Sequence, residues 1–393
     1  MFKNAVNLFE IAGFKIRIDP SWFLIAALIV WSLTAAYFPA QLPGRSQYEY
    51  LVLSISSMLG LFASLILHEL SHSLVARRFE LEVGGITLFI FGGVAELEQE
   101  PESARSEFWI AIAGPAMSFA LALVFYLVAA GLENVGASDL LTAAFSYLWF
   151  INLLLALFNM VPAFPLDGGR IFRAALWYLW HDLLWATRIA SGSGMVFGIF
   201  LVVSGILSLL TTSSFGGLWQ ILIGFFIVSA SRASYQQLLI KTALRDHTVR
   251  SLMTAAPITA DIEDSIEHTV NETMLKHSLS FVPTLENDRL LGYVDLAHVR
   301  QVERDKWPTT GLRDILVPCD STNTVSGDMP VDKLFGQMVQ KNQRKMMVAR
   351  AGDLEGVISL TDLMSYLAIR QELGFPENTE TTTDHSRGNE KAL

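Results

Sequence analysis

Apolar residues fill long uninterrupted runs in the first 240 positions and short alternating segments thereafter. Six runs, residues 21–40, 51–76, 108–132, 140–161, 189–210 and 215–230, reach or approach the roughly 20 apolar residues a helix needs to cross hydrocarbon. The last is the shortest. Residues 83–97, VGGITLFIFGGVAEL, hold paired glycines around a β-branched and aromatic run. That pattern predicts a short hairpin or re-entrant strand, too short to span as a helix. The stretch 162–170, PAFPLDGGR, breaks the apolar helix before it.

From about Thr248 strands and amphipathic helices alternate, and the pattern occurs twice. The first copy runs from Leu252 and Met253, through Pro257, Ile258 and Thr259, a helix, and Phe281, Val282 and Pro283, to the Leu291, Gly292, Tyr293, Val294 run. The second runs from Leu312 to Leu316, through a helix near 331–341, to residues 346–348 and 356–359. Residues 376–393 are polar and aperiodic, which predicts a disordered tail. The expected organisation is a membrane domain over 1–240, repeats over 248–308 and 309–373, and the tail.

Only 17% of residues are charged, against about a quarter in soluble chains, which fits a bilayer protein. The net charge of −10 sits mostly in the second half and argues against a nucleic-acid partner. Under the six-span topology Lys3, Lys15, Arg17, Arg77, Arg78, Arg105, Arg170, Arg173, Arg188, Arg232, Lys241 and Arg245 fall on one side, and Arg45 alone on the other. The expected placement is therefore a multi-pass cell-membrane protein with both termini cytoplasmic. The first apolar run ends without a small-residue cleavage pattern, so no cleavable signal peptide is expected. The single cysteine, Cys319, excludes an intramolecular disulfide and a cysteine-based zinc site, and reads as a buried structural thiol.

The sharpest chemical signal is His68-Glu69-Leu70-Ser71-His72, inside an apolar run. Residues four apart share one helix face, so both imidazoles can reach one ion. Zinc takes three protein ligands when a position stays open for water, and Glu69 can act as the base toward that water. Ionisable side chains at bilayer depth are costly and usually functional. For the third ligand, His181 and Asp182 lie in a polar connector, and Glu133 and Asp139 fall on the opposite face. Asp167 is the better placed candidate. It ends a broken helix and is followed by two glycines that permit close backbone approach. Its position also fits a cap for the helix from Gly168 to Trp180.

His68-Glu69-x-x-His72, Gly114-Pro115 and Asn159-x-x-Pro162-x-x-x-x-Asp167-Gly168 together resemble the site-2 proteases, intramembrane zinc proteases of membrane-bound precursors. The resemblance covers about residues 11–240. It implies His68, His72 and Asp167 as ligands of one Zn2+ per chain, Glu69 as catalytic base, and Asn159 as a residue holding the substrate strand or reacting carbonyl. Asn159 fits an interhelical hydrogen bond equally well, and Gly114-Pro115 fits a kink or close-packing point. The strand-like 83–97 segment matches a membrane-associated sheet in the family, whose edge could add an unwound substrate as an extra strand.

Each C-terminal repeat resembles a CBS module, which implies an α/β pair that binds an adenine nucleotide (ATP, ADP or AMP) and pairs into a homodimer. The second copy ends Gly356-Val357-Ile358-Ser359-Leu360-Thr361-Asp362-Leu363, so Ser359, Thr361 and Asp362 are the expected cofactor contacts, with Asp362 on ribose. The first departs, with Asp295 and His298 where Ser or Thr and Asp are usual, and a pair that only dimerises remains an alternative. The fold expected is a multi-pass α-helical membrane domain of about six spans with a small membrane-associated β segment, followed by a tandem CBS domain. The partner expected is a single-pass or otherwise membrane-bound protein substrate. A CBS-gated divalent-metal transporter using the same His/Asp cluster is the competing class. The glutamate between the histidines and the lack of an inverted repeat of spans speak against it.

Overall fold

Helices arise at all six of the expected apolar runs, and among the described residues these six are long and apolar enough to cross a membrane. The computed structural model describes residues 5–81, 83–90, 92–97, 101–212 and 216–373. The six are α1 (Ser21–Gln41), α2 (Gln47–Arg78), α3 (Ala104–Asn134), α4 (Asp139–Asn159), α6 (Leu183–Thr212) and α7 (Gly216–Leu244), and α5 (Asp167–Trp180) is a shorter helix between α4 and α6. The chain forms two compact units, Met1–Gln236 and Gln237–Leu393.

Helix α2 starts on a capping box, with Ser46 accepting from the Glu49 N–H and the Glu49 carboxylate accepting from the Ser46 N–H. Its 32 residues make it about 48 Å long, well beyond the roughly 30 Å hydrocarbon core. Along it Ser54, Ser57, Ser64, His68, Ser71 and His72 are buried, whereas Leu51, Ile55, Leu59, Leu67 and Leu74 are exposed. This amphipathicity is inverted relative to a soluble protein: apolar groups face the lipid side and polar groups face α3 and α4. Asn152 on α4 donates to Ser64 Oγ at 3.1 Å, tying the two helices one turn from His68.

A four-stranded sheet belongs to the same unit, in the order β1 (Val6–Ile11), β2 (Phe14–Ile18), β3 (Val83–Phe89), β4 (Gly92–Leu97). The hairpin over 83–97 was expected, but β1 and β2 were not. They are short, and the sheet exists because β2 pairs in parallel with β3, Ile16 opposite Ile86, a non-local register that no local pattern encodes. Strand β4 lies at the end of the sheet order.

The second unit holds two four-stranded sheets. Strands β5 (Thr254–Ala255), β6 (Ala260–Asp261), β7 (Phe281–Glu286) and β8 (Arg289–Asp295) come from the first repeat. Strands β9 (Val317–Pro318), β10 (Thr324–Val325), β11 (Lys345–Arg350) and β12 (Asp353–Ser359) come from the second. The sheet orders are β6-β7-β8-β9 and β10-β11-β12-β5. Each repeat therefore lends its first strand to the other's sheet, which welds the pair. Leu244, Val249, Val331, Leu334, Ile358 and Leu363 form one core beneath helices α8 (Val331–Lys341) and α9 (Leu360–Glu372). Phe281, Leu290 and Met347 pack between the sheets.

One sequence expectation fails here. Cys319 is exposed, because it sits just past the two-residue edge strand β9, where its backbone N–H is held by the Leu291 carbonyl. The expected disordered tail, 376–393, lies outside the described residues.

Candidate metal centre

Three side chains from two elements converge inside the helical unit. His68 and His72 stand one turn apart on α2, and Asp167 is the first residue of α5. Asp167 Oδ2 lies 3.2 Å from His68 Nε2 and 3.3 Å from His72 Nε2, and the two Nε2 atoms are 3.3 Å apart. Among the described residues, these are the group of His, Cys, Asp and Glu side chains arranged to hold a metal ion. All three are at most 9% exposed.

Orientation of the imidazoles is set by their far nitrogens. His72 Nδ1 is 2.6 Å from the Ile110 carbonyl of α3, which can only accept, so His72 carries its proton there and presents a bare Nε2 to the cluster. His68 Nδ1 meets Ser118 Oγ at 2.9 Å, two turns further along α3. Converging lone pairs repel unless a cation lies between them. A tetrahedral ion with bonds of about 2.0–2.1 Å keeps its ligand atoms about 3.3–3.4 Å apart. The observed edges match that spacing, and a set of two imidazoles and one carboxylate suits zinc with a position left open.

The approach of α3 depends on Gly114. A Cβ there would overlap His72 Nε2 and come within 2.6 Å of His68 Nε2. The close-packing reading of Gly114 thus acquires a specific partner, the ligand pair itself. On the other side β4 crosses Glu69, since a Cβ at Gly93 would lie 2.6 Å from Glu69 Cγ. Gly168 and Gly169 let the first turn of α5 press on the backbone of Met160 and of Ala163 and Phe164. Helix α5 is further held to α3 by a buried ion pair. Arg173 Nε donates to Glu107 Oε1 at 2.7 Å, and the Arg173 guanidinium stacks over the Phe164 ring at 4.8 Å. The motif reading missed Glu107, Arg173, Gly93 and Ser118, because each is marked only by what it touches across the fold.

His68, His72, Asp167, Glu69 and Asn159 all line one cavity of about 350 Å³. Leu65, Phe89, Leu155, Phe158 and Phe226 give it an apolar wall. The cap position of α5 is held by Leu166, and Asp167 is the first residue of the helix rather than its cap.

In the second unit Ser359 and Asp362 bond reciprocally at the start of α9. The Ser359 N–H donates to Asp362 Oδ2 at 3.0 Å, and the Asp362 N–H donates to Ser359 Oγ at 3.1 Å. Thr361 is exposed beside them. In the first repeat Asp295 takes the cap role, accepting from the Ala297 and His298 N–H groups and lying 2.7 Å from His298 Nδ1. Lys345 lies near both endings and donates to Ser280 at 2.9 Å. Burial pulls its ammonium below the usual lysine value, while Asp362 and Asp295 act in the opposite direction.

Residues 56–142 and 133–204 match the model described as peptidase family M50, and 249–305 and 312–369 match the CBS domain. Rip3 of Mycobacterium tuberculosis, named as a zinc metalloprotease, is 32% identical over 97% of both chains. The zinc metalloprotease MJ0392 of Methanocaldococcus jannaschii is 28% identical over 94% of this chain and 98% of its own. The solved site-2 protease from Methanocaldococcus jannaschii is 30% identical, covering 58% of this chain and 94% of its own, with a TM-score of 0.41. The near-full-length likeness to Rip3 places the chain in peptidase family M50: it belongs to the site-2 proteases, membrane-embedded zinc metalloproteases, and carries two CBS domains behind its membrane helices.

Proposed function

We propose that this protein hydrolyses a peptide bond in or near a transmembrane segment of a membrane-bound protein, with His68, His72 and Asp167 holding one Zn2+ per chain. The observation that carries the reading is the triangle of donor atoms with 3.2–3.3 Å edges, set beside Glu69 in one cavity. When bound, zinc supplies Lewis-acid activation of a water molecule and of the scissile carbonyl. Glu69 follows the first histidine on the same helix and takes the proton of the attacking water, then returns it to the leaving amine. Asn159 lines the cavity and holds the carbonyl or the substrate backbone. Gly92 and Gly93 line the same cavity, so an unwound substrate laid along β4 would pass over Glu69. A helix hides its peptide bonds, and strand addition presents them.

The expected orientation places both termini and the CBS pair in the cytoplasm. The CBS pair would bind ATP, ADP or AMP through Asp362, Ser359 and Thr361, modulate cleavage, and pair into a homodimer. The reciprocal Ser359–Asp362 bonds support a preformed helix start there, and the degenerate Asp295–His298 ending supports one dominant site. Glu69→Gln tests the central reading: purified protein should keep about one zinc per chain and lose cleavage. Cleavage at the wild-type rate by that variant would refute the mechanism.

A further inference from the structure

Two arginines stand one turn apart on α5, Arg170 and Arg173, and their surroundings differ in kind. Arg173 is buried, bonded to Glu107 and stacked on Phe164. Arg170 is only partly buried, and among the described residues its guanidinium has no hydrogen bond, ion pair or ring partner, although its backbone N–H is held by Leu166. Yet Arg170 lines the cavity that holds His68, Glu69, His72, Asn159 and Asp167, and no other lysine or arginine does so among the described residues. Two carboxylates line the same cavity, Glu69 and Asp167, and neither forms an ion pair with Arg170; Asp167 turns its Oδ2 to the two histidines. Arg188 and Arg232, by contrast, are exposed, as residues serving only as topological charges should be.

A guanidinium carried into a half-buried cavity loses hydration, and without a counter-ion that loss is not offset until an anionic group arrives. Peptide hydrolysis generates such a group at this site. As water oxygen bonds to the carbonyl carbon, the C=O π pair moves onto the carbonyl oxygen; as that pair returns, the C–N bond breaks and the amine leaves with the proton Glu69 carried. The second proton of the attacking water then passes by way of Glu69 to the amine, so the products are an ammonium and a carboxylate that contains the carbonyl-derived oxygen. Negative charge thus sits on substrate oxygen through both stages.

We propose that Arg170 is a catalytic residue of this reaction, donating guanidinium N–H bonds to the scissile carbonyl oxygen as charge builds there and to the carboxylate that replaces it. This rests on the reading of the cavity as the active site. Arginine suits the task because its planar fork of donors fits carbonyl and carboxylate oxygens and never loses its proton.

The test uses the full-length protein in detergent micelles and the quenched fluorogenic apolar peptide that the wild type cuts fastest. Arg170→Ala should lower kcat roughly 10²- to 10³-fold while zinc content and melting temperature stay at wild-type values. Arg170→Lys should keep part of the rate, and guanidinium ion added to Arg170→Ala should restore kcat by about tenfold or more. A purely structural arginine would show no such rescue. Arg170→Ala within about threefold of the wild type, loss of zinc in that variant, or an effect on KM alone would overturn the proposal. Glu69→Gln run in parallel separates the two levels. If it is inactive, those outcomes bear on Arg170 alone. If it is active, the cavity assignment itself fails and Arg170 falls with it.

Discussion

Replacing Gly114 by alanine adds one methyl group at the point where α3 faces the two histidines. An ideal Cβ would stand 2.6 Å from His68 Nε2 and nearer still to His72 Nε2, against 3.4 Å for ordinary contact. The His68 imidazole must therefore give way by about 0.8 Å and that of His72 by more, unless α3 itself moves by the larger amount. Rotation away is resisted by the Ile110 carbonyl and Ser118 hydroxyl that hold the Nδ1 atoms at 2.6 and 2.9 Å. Metal–ligand distances tolerate about 0.2 Å, so the displacement exceeds what bonding allows. Loss of a supporting partner alone weakens metal affinity about 10- to 100-fold, and direct displacement of two ligands should cost at least that. Overpacking adds about 1–3 kcal/mol of destabilisation. Gly131, on the same helix, is the matched control, because a Cβ there meets nothing within 4 Å. Gly131→Ala should be neutral or stabilise the helix by about 0.5–1 kcal/mol. Metal content by mass spectrometry, competition with a zinc chelator and thermal unfolding in detergent would be measured on both variants. Full zinc retention and wild-type cleavage by Gly114→Ala would refute the placement of α3 against the ligands.

Breaking the Glu107–Arg173 pair by Arg173→Met should destabilise the membrane unit by about 3–5 kcal/mol, since it strands a fully buried carboxylate. Adding Glu107→Leu should recover much of that loss in a thermal-unfolding assay, and no recovery would contradict a simple pairwise role. Gly93→Val should block Glu69 and abolish cleavage while zinc stays bound, as metal analysis beside an activity assay would report. By calorimetry on the whole protein, Asp362→Ala should weaken adenine-nucleotide binding roughly 10- to 150-fold through loss of a charge-assisted bond, with His298→Ala much milder. Equal affinities for the two variants would contradict a dominant site at the second repeat.

What the chain disclosed on its own was whatever lies close in sequence. The spans follow from runs of apolar residues, and His68 and His72 follow from a four-residue spacing on one helix turn. The two repeats follow from a pattern that recurs. Each is a local regularity, and local regularities survive without knowledge of the fold. Tertiary structure decided what depends on distant residues meeting. It set Asp167 Oδ2 against both Nε2 atoms, laid Gly114 on the imidazoles and Gly93 on Glu69, and paired β2 with β3. It exchanged β5 and β9 between the repeats, although composition marks neither two-residue strand. Cys319 became exposed because burial is a property of neighbours rather than of residue type. Arg170 and Arg173 are the same residue three positions apart, and only the presence of Glu107 beside one and the cavity beside the other separates a packed ion pair from an unmatched cation. Side-chain chemistry is written in the sequence, but the partner that satisfies it, or leaves it unsatisfied, is chosen by the packing of helices far apart along the chain.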